Sequence, residues 1–450
     1  MDLTLLEGFV QERLTKYKFP GMSIALLRGD EVIYSRGFGF RDIGESLPAT
    51  PNTSYCIGSV TKAFTAAAIM QLAEKGLISL EDPVSRFVDV IKSNEIKIHH
   101  LLSHTSGIPA LGYAEALIDS YYGLSNYWLP TATPEDVISF MRDYTKWFLH
   151  RPGERWFYLN EGYVLLGKIV EKVSGVSYES YIKTNILDKL GMRKSYFTRE
   201  EYLKDNDRAT PYIINKEGKH VRVEPVFGIS ADGGLFSNVI DLLKFVKALM
   251  NKGVHDDVQI LSRDSVTLME KAFTKLPYET PVADSYGLGL IIRHDFFGRK
   301  LVGHSGSVLV YTAYIGYVPE ERIGVAILSN ASGYPLSLIG GYALTILLGR
   351  DPEKELHYVL TERMYEKLVG NYKNYKESVR VRVKRSGDML FMEEDSIDSS
   401  PTPLVPEKIS GDYALFNIYT LASKIPVEFY VKSSGEVVMI YDRYELIKTS

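Results

Sequence analysis

The sequence predicts an α+β protein in which an antiparallel sheet is covered by helices and is followed by a small all-β domain. Three observations lead to this class. Strand patterns occur near the start of the chain and again near residue 300, helical patterns dominate residues 80–200, and short strands separated by turns fill residues 361–450. Strands on both sides of a helical stretch favour one sheet built from both ends of the sequence, with helices packed against it.

The composition of the 450-residue chain is that of an ordinary globular protein of two or three domains. With 45% hydrophobic and 24% charged residues, it excludes a disordered tail, a collagen-like rod and a chain of membrane spans. The net charge of −4 provides no basic field for nucleic acid or for an anionic membrane, so we expect neither as a partner. Only three glutamines accompany the single cysteine, a depletion seen in hyperthermophile proteins but equally explained by compositional drift.

The first residues predict a packed helix rather than a secretory signal. A signal needs a basic start and an uninterrupted apolar stretch, whereas Asp2 and Glu7 are acidic and residues 11–13 are polar. A helical period places four apolar residues of the segment Leu3–Leu14 on one face: Leu6, Phe9, Val10 and Leu14. The lone Cys56 cannot form an internal disulfide, which is compatible with a reducing compartment. We therefore expect a cytoplasmic protein.

The next elements are a hairpin and a buried helix. Gly21–Leu27 and Glu31–Phe40 are apolar, β-rich runs joined by a short Gly/Asp turn, which is the pattern of an antiparallel hairpin. A helix is predicted from Ser59 to Lys75, and its small apolar residues extend nearly all round, as in a helix buried in the middle of a domain. In the helical region that follows, Thr133-Pro134-Glu135-Asp136 has the residues of a capped helix start.

Strand character returns around residue 300. Three runs bounded by glycines and by Pro319 are predicted strands: Leu301–Val302, Thr312–Val318 and Gly324–Ser329. A final apolar helix over Leu336–Leu348 ends at Gly349. The first domain is therefore expected to span residues 1–349.

The composition changes near residue 350, where Asp351–Glu366 is charged and helical in pattern. We expect a linker at residues 350–360 and a second domain at residues 361–450. Short β-runs separated by glycines and by Pro426 predict a small barrel or sandwich: Ser378–Lys384, Met389–Glu393, Val427–Lys432 and Val437–Ile440. The basic face of Val379–Arg385 could contact nucleic acid, but the acidic residues 393–395 favour a solvated strand face.

Ser59 and Lys62 form the strongest chemical pattern. A serine at the start of a buried helix, with a lysine three residues later, places hydroxyl and amine on one helical face. The helix N-terminus favours a developing oxyanion, and burial lowers the pKa of a lysine. The neutral amine of Lys62 could then take the proton of Ser59. On its own this S-x-x-K pattern is weak, because a capping serine is often followed by a lysine by chance.

Two later segments strengthen the pattern. In Tyr158-Leu159-Asn160, the tyrosine can move a proton between a serine and a leaving group, and the amide of Asn160 can bond both Lys62 and a substrate carbonyl. Residues 303–307, Gly-His-Ser-Gly-Ser, lie at the entry to a strand pair. Small residues there allow a substrate backbone to approach an edge strand closely.

These ordered motifs, S-x-x-K, Y-x-N and H-x-G, resemble those of the penicillin-recognising serine hydrolases, specifically the CubicO-like group related to class C β-lactamases and D-aminopeptidases. The resemblance covers about residues 3–349 and includes further family landmarks in the family's order: Pro20–Ser23, Gly37–Gly39, Leu101–Gly107, Leu187–Met192, Gly233–Leu235 and Tyr286–Gly289. It implies the β-lactamase/penicillin-binding-protein-like fold, an antiparallel sheet flanked by helices.

The resemblance also implies roles for individual residues. Ser59 would be the acylated nucleophile, Lys62 its activating partner, Tyr158 the general base and acid, and Asn160 the group that holds substrate and lysine. His304 would occupy the third motif, where many relatives have a lysine. A histidine that is neutral near pH 7 gives no fixed positive charge for a substrate carboxylate, which argues against penicillin binding more than against acyl transfer.

The same family likeness gives the rest of the expected site. The backbone N–H groups of Ser59 and Ser307 would form the oxyanion hole, and Ser305 and Gly306 would bind substrate together with Asn160. Neither a metal nor a cofactor is implied, and the substrate would be a peptide or a small amide or ester.

The C-terminal segment, including Leu368–Tyr372, resembles the lipocalin-like barrels attached to some of these hydrolases. Within this group the likeness is greatest to an archaeal, self-compartmentalising peptidase that cleaves substrates containing D-amino acids and assembles as a closed octamer. The implied function is a serine peptidase or amidase acting on such peptides as a homo-oligomer. A carboxylesterase or β-lactamase is the alternative, since one nucleophile attacks all these carbonyls, and a non-catalytic ligand-binding receptor is a rival from another class.

Other patterns have simpler structural explanations. Residues 303–306 lack the G-x-S-x-G spacing of a nucleophile elbow, and residues 287–289 lack the third glycine of a dinucleotide loop. His99, His100 and His104 show no H-E-x-x-H pattern, so structural histidines are favoured over a metal site. A group of aromatic residues could cover a substrate pocket or pack between helices: Tyr113, Tyr121, Tyr122, Tyr127 and Trp128.

Overall fold

The computed structural model describes residues 3–124, 133–228, 230–395 and 400–449. The chain divides into two units, Met1–Gly349 and Arg350–Ser450, and each has a hydrophobic core of its own. Within the described ranges, no helix combines the length and the apolar character needed to cross a bilayer.

The first unit contains both helices and strands. Its helices are α1 (Thr4–Tyr17), α2 (Thr61–Glu74), α3 (Ile98–Leu102), α4 (Tyr113–Tyr121), α5 (Pro134–Phe140), α6 (Asn160–Ser174), α7 (Tyr178–Ile182), α8 (Arg199–Lys204), α9 (Val239–Met250), α10 (Arg263–Met269) and α11 (Leu336–Leu347). Its strands are β1 (Gly21–Arg28), β2 (Glu31–Asp42), β3 (Leu47–Pro48), β4 (Tyr55–Cys56), β5 (Tyr212–Ile214), β6 (His220–Arg222), β7 (Phe236–Ser237), β8 (Val254–His255), β9 (Val258–Gln259), β10 (Thr274–Thr280), β11 (Ala283–Tyr286), β12 (Ile291–Arg293), β13 (Leu301–Ser307), β14 (Thr312–Val318) and β15 (Ile323–Ser329).

The main sheet is antiparallel and has the strand order β10-β11-β12-β13-β14-β15-β1-β2-β3. Strand β1 pairs with β15, with Ala25 opposite Ala326, so the two ends of the first unit meet in one sheet as predicted. Helices lie on both faces: α11 packs on Tyr314, and α9 packs over Gly324 on the other side. Strand β1 is therefore buried from Gly21 to Leu27, which explains its continuous apolar run.

Helix α2 is the centre of the first unit's core. Every residue from Thr61 to Leu72 is buried, and the ring of Phe64 stacks on that of Phe245 in α9 with 3.9 Å between centroids. Small side chains such as Ala66 and Ala67 let neighbouring elements approach the helix from all sides. The predicted buried helix is confirmed, although its first turn, Gly58–Val60, is a 3₁₀ turn that precedes α2.

The predicted elements of the first unit agree with the structure in position, apart from ends that differ by a few residues. The first helix, the hairpin, the strands after residue 300 and the last helix are all present. Thr133 caps α5 by accepting from the Asp136 N–H at 3.2 Å, as its sequence predicts. The strands β10, β11 and β12 were not predicted; the sequence analysis gave only Tyr286–Gly289, at the end of β11, as a family landmark.

The second unit is a closed antiparallel barrel preceded by two helices. Its elements are α12 (Pro352–Glu355), α13 (His357–Leu368), β16 (Gly370–Lys373), β17 (Arg380–Ser386), β18 (Met389–Glu394), β19 (Thr402–Ser410), β20 (Tyr413–Tyr419), β21 (Lys424–Val431), β22 (Val437–Tyr441) and β23 (Tyr444–Lys448). The barrel closes because β16 pairs with both β17 and β23. Residues 350–360, expected as a linker, contain α12 and the start of α13.

The inside of the barrel is filled with side chains. Alternate residues of the strands, such as Val381, Val383 and Phe416, are at most 2% exposed, and Tyr365 and Leu368 of α13 belong to the same buried cluster. This packing leaves the barrel with a solid core, as in small barrels whose interiors hold only side chains. The expected all-β second domain is confirmed as a barrel.

Proline misled the sequence interpretation of the barrel. Pro426 was expected between strands, but it lies inside β21 opposite Asn417. The pairing of β21 with β22 begins only at Val427, so Pro426 lies where one side of the strand has no partner and the missing N–H is tolerated. Strand β19, which contains Pro403 and Pro406, was not among the predicted strands either.

Candidate active site

Ser59 lies in the 3₁₀ turn directly before α2, so its backbone N–H is at the positive end of a 14-residue helix. The turn requires glycine at its first position, because Gly58 has a φ of +51°. Ser59 itself is partly buried and lines a cleft at the surface of the first unit. A hydroxyl in this position is partly exposed and lies at a helix N-terminus, where the first N–H groups have no acceptor within the helix.

Lys62 is completely buried and holds three oxygen atoms around its amine. Nζ donates to Ser59 Oγ at 3.0 Å, to Asn160 Oδ1 at 2.8 Å and to the carbonyl oxygen of Asp232 at 2.6 Å. Burial lowers the pKa of Lys62 to about 8, although the nearby carboxylates of Asp232 and Glu115 partly oppose this shift. Near neutral pH a usable fraction of Lys62 is therefore the free amine, in contact with the serine hydroxyl.

Tyr158 approaches the same serine from the other side of the site. Its ring centroid lies 5.0 Å from Lys62 Nζ, and its hydroxyl is near enough to Ser59 for the serine to lower the pKa of the phenol. Burial raises the pKa of Tyr158 above its ordinary value, so the group is a phenol, not a phenolate, over the whole neutral range. It can therefore relay a proton but does not begin as a base.

Asn160 is the first residue of α6 and has its amide fixed by two contacts. Oδ1 accepts from Lys62, and Nδ2 lies 3.4 Å from Glu115 Oε1 on α4. The sequence expectation that Asn160 bonds Lys62 agrees with this geometry. The structure thus brings the four residues together: Lys62 bonds both Ser59 and Asn160, and the ring of Tyr158 lies beside the lysine amine.

The end of β13 packs directly on the Ser59 turn. A methyl group on Gly306 would lie 1.9 Å from the Ile57 carbonyl oxygen and 3.1 Å from the Ser59 nitrogen. A methyl group on Gly58 would lie 2.8 Å from the Ser307 nitrogen. Only glycine fits at either position, and this close backbone contact places the amides of Ser59 and Ser307 in the same small region, as an oxyanion hole requires.

Comparison with known proteins identifies the family of the first unit. Residues 6–346 match the family model described as Beta-lactamase, which is well over half of the chain. The chain belongs to the beta-lactamase family. Residues 352–447 of this beta-lactamase-family protein match a second model, the Pab87 octamerisation domain.

Individual relatives agree with this assignment. The octameric penicillin-binding protein homologue from Pyrococcus abyssi is 48% identical, with a TM-score of 0.94 and full coverage of both chains. Penicillin-binding protein 4* of Bacillus subtilis (strain 168) is 29% identical over 402 residues, covering 84% of each chain. The D-amino acid amidase of Ochrobactrum anthropi SV3 has a TM-score of 0.62 and covers 77% of this chain and 98% of its own, but at 20% identity it shows the fold alone.

The ring of His304 is buried and bonded to protein groups, so it is not available to contact a substrate. Its ring is 1% exposed, Nδ1 lies 2.6 Å from the carbonyl oxygen of Ser305, and Nε2 lies 2.8 Å from the hydroxyl of Tyr286. A carbonyl only accepts, so Nδ1 donates and Nε2 accepts from Tyr286. Burial lowers the pKa of His304 to about 3, so the beta-lactamase-family site has a neutral, fully engaged histidine in its third motif.

The cleft beside Ser59 has a volume of about 300 Å³ and an acidic lining. Its described lining residues are Ser59, Ala114, Glu115, Ile118, Asp119, Asn160, Asp232, Gly233, Ser307, Val308 and Leu309. Three carboxylates are among them, and no lysine or arginine is. One wall is the face of α4 that carries Ala114 and Ile118, which the sequence did not indicate.

Asp232 is the residue of this site that the sequence interpretation missed. It is 5% exposed, its carbonyl accepts from Lys62, and burial raises the pKa of its carboxyl group. The only signal was its place directly before Gly233-Gly234, a landmark of the family. Its partner Lys62 is 170 residues away in the chain, so no local pattern could reveal the contact.

Other candidate residues have structural positions. Cys56 is buried and donates to the Gly233 carbonyl at 3.4 Å, and burial raises the pKa of its thiol to about 12. Among the described residues, no group of His, Cys, Asp and Glu side chains is placed to hold a metal. Tyr113 is buried, and the rings of Tyr121 and Tyr122 meet edge to face at 5.2 Å. Tyr127 and Trp128 lie outside the described residues.

Proposed function

We propose that this protein is a serine peptidase or amidase that works through an acyl-enzyme on Ser59 and acts on peptides containing D-amino acids. The observation that carries the proposal is the contact of 3.0 Å between Ser59 Oγ and the buried amine of Lys62, whose pKa is lowered to about 8. A hydroxyl next to a neutral amine is an activated nucleophile.

The proposed acylation follows from these positions. Ser59 Oγ forms a bond to the substrate carbonyl carbon, and its proton passes to the neutral amine of Lys62. The amides of Ser59 and Ser307 donate to the oxyanion that develops. When the carbon–nitrogen bond breaks, Tyr158 gives its phenolic proton to the leaving amine and regains one from Lys62. Water then attacks the ester on Ser59 with the same groups acting in the reverse direction.

The charges around the cleft favour an amide substrate over a β-lactam. A penicillin-type β-lactam carries a carboxylate, which the carboxylates of Glu115 and Asp119 would repel. His304 is neutral and buried and supplies no compensating positive charge. These features support the peptidase or amidase over the β-lactamase among enzymes that share a serine nucleophile.

The preference for D-amino acids is the finer part of the proposal. It is supported by the family likeness and by two solved structures of the same fold, named D-amino acid amidase from Ochrobactrum anthropi SV3 and D-stereospecific amidohydrolase from Streptomyces sp.. Both are under 25% identical to this chain. Their names indicate which stereochemistry to test first.

We further propose that the chain assembles as a homo-octamer through residues 352–447. The match to the Pab87 octamerisation domain and the octameric homologue from Pyrococcus abyssi support this assembly. Exposed apolar side chains on the second unit, Tyr375, Tyr419 and Leu421, are the kind that subunit interfaces cover. The filled barrel interior argues against the receptor alternative, in which the barrel would hold a ligand. The cytoplasmic location stays a prediction from the sequence.

A matched substrate panel tests the proposed function. L- and D-amino-acid p-nitroanilides, a short-chain p-nitrophenyl ester and a chromogenic β-lactam are compared, with Ser59→Ala as the blank. Cleavage of D-amides that falls about 10⁶-fold in Ser59→Ala supports the proposal. Ester turnover alone would identify an esterase, and β-lactam turnover a β-lactamase. No Ser59-dependent turnover and no acyl adduct would favour the receptor.

A further inference from the structure

His104 is a buried histidine that the proposed mechanism does not use. It follows α3, is 1% exposed, and has a left-handed backbone with a φ of +59°. This conformation is unfavourable for residues with a Cβ, so the surrounding fold must hold it. Its effect is to turn the imidazole inward, towards the segment that contains Tyr158 and Asn160.

Two hydrogen bonds to His104 bracket Tyr158. The N–H of Phe157 donates to the carbonyl oxygen of His104 at 2.8 Å, and the N–H of Leu159 donates to His104 Nδ1 at 3.0 Å. The residues before and after the tyrosine are therefore tied to one residue. Leu159 also directly precedes Asn160, so the second bond fixes the point where α6 begins.

The ring of His104 supports the ring of Tyr158. Their centroids are 4.2 Å apart with an interplanar angle of 35°. The histidine is in turn held by Tyr163 at 5.1 Å and Tyr286 at 4.8 Å. Tyr286 is the residue that donates to His304, so a continuous packed group extends from the third motif to Tyr158.

The hydrogen bond from Leu159 requires the neutral form of His104. Because Nδ1 accepts, the ring proton is on Nε2, which is buried without a hydrogen-bond partner among the described residues. An imidazolium has N–H groups on both nitrogens and could not accept from Leu159. Burial, together with the nearby Lys62 and His304, lowers the pKa of His104 well below its ordinary value.

We propose that His104 is a positioning residue that keeps Tyr158 beside Ser59 and Lys62, and the Asn160 amide against Lys62. It acts through Nδ1 and the Leu159 amide, without touching the substrate. This inference rests on the proposed function. A general acid must stay within hydrogen-bond reach of the reacting atoms, and a displacement of about 1 Å costs about 100-fold in rate.

Two substitutions separate the acceptor from the ring. His104→Asn keeps an acceptor in the place of Nδ1 and tolerates the positive φ, but it removes the ring. His104→Phe keeps a ring against Tyr158 but has no acceptor for Leu159. The matched control is His100→Phe, because His100 Nδ1 accepts from the Lys97 N–H at the same 3.0 Å, and the hydrogen bonds and ring contact described for His100 do not include Tyr158.

The measurements are the single-turnover rate of Ser59 acylation by p-nitrophenyl acetate, the KM, and Tm. We expect His104→Phe to acylate about 100-fold more slowly with KM unchanged, and His104→Asn to stay within about fivefold of the wild type. The Tm of His104→Asn should be lower than that of His104→Phe, although its acylation is faster, because asparagine leaves a cavity where the ring was. His100→Phe should acylate at the wild-type rate.

A purely structural role for His104 gives different results. Acylation rates that follow Tm, or a His104→Phe enzyme as fast as the wild type, would overturn the inference. A wild-type enzyme that forms no acyl-enzyme with any substrate of the panel would refute the proposed function and this inference with it.

Discussion

The backbone contact between Gly306 and the Ser59 turn makes Gly306→Ala a sharp test of the proposed oxyanion hole. The added methyl group would lie 1.9 Å from the Ile57 carbonyl oxygen, whereas carbon–oxygen contacts in proteins are about 3.3 Å or longer. The Ile57 oxygen and the Ser59 nitrogen, the atoms that the methyl group would meet, belong to the backbone and cannot rotate away. The end of β13 and the turn must therefore separate by more than about 1 Å.

This displacement has a predictable cost in both rate and stability. Losing one oxyanion donor costs about 10²–10³ in kcat, and a shift of this size costs about 10² in rate. We therefore expect the acylation rate of Gly306→Ala to fall about 100-fold, with KM changed little because the cleft walls on α4 stay in place. The overpacked contact should lower the free energy of unfolding by about 1–3 kcal/mol.

A matched variant in the same strand separates the rate effect from the stability effect. A methyl group on Gly303 would lie 2.2 Å from the carbonyl oxygen of Ile315, so Gly303→Ala strains β13 against β14 and away from Ser59. Urea unfolding should show similar losses for both variants. Stopped-flow acylation with p-nitrophenyl acetate, at a temperature where both are folded, should be slow only in Gly306→Ala.

Two outcomes would refute this reasoning. One is a Gly306→Ala enzyme that acylates at the wild-type rate, since the two amides then do not depend on the contact. The other is a Gly303→Ala enzyme that is equally slow, because general weakening of β13 would then explain the loss.

Three further predictions follow from the site and the second unit. The acylation rate should rise about tenfold per pH unit up to a pH of about 8 and then level off, because only the neutral amine of Lys62 accepts a proton; a flat profile from pH 6 to 9 contradicts this. Tyr158→Phe should slow p-nitroanilide cleavage about 10²–10⁴-fold but p-nitrophenyl ester cleavage much less, since p-nitrophenolate leaves without a proton; equal losses contradict the relay. Light scattering should give a mass eight times the 50.8 kDa of the chain, and the mass of a monomer would refute the proposed octamer.

The sequence predicted the core of the fold because its signals are local. The apolar run Gly21–Leu27 and the small-sided helix after Ser59 each identify a buried element without reference to the rest of the chain. The motifs around Lys62, Tyr158 and Asn160 are short as well. The bond between Lys62 and Asn160, which are 98 residues apart, was suggested by the chemistry of the two side chains, and the family resemblance strengthened that suggestion.

What the sequence left out depends on distant contacts and on orientation. His304 lies in a strand, where successive side chains point to opposite faces. The neighbouring sequence does not indicate which face its ring occupies, and the structure shows that the ring contacts Tyr286. His104 was interpreted as structural, but its bonds to residues 157 and 159 bracket a tyrosine that is more than 50 residues away. Pro426 was expected to separate strands but lies within one. The pairing of β21 with β22 does not reach Pro426, so a residue without an N–H is tolerated there.

The central claim is a covalent acyl-enzyme on Ser59, and intact-protein mass spectrometry tests it most directly. The protein is mixed with p-nitrophenyl acetate, quenched in acid within the burst phase, weighed and then digested to locate the adduct. We expect one acetyl group per chain on the peptide containing Ser59, and none in Ser59→Ala. An adduct on another residue, or an equal adduct in Ser59→Ala, would contradict it.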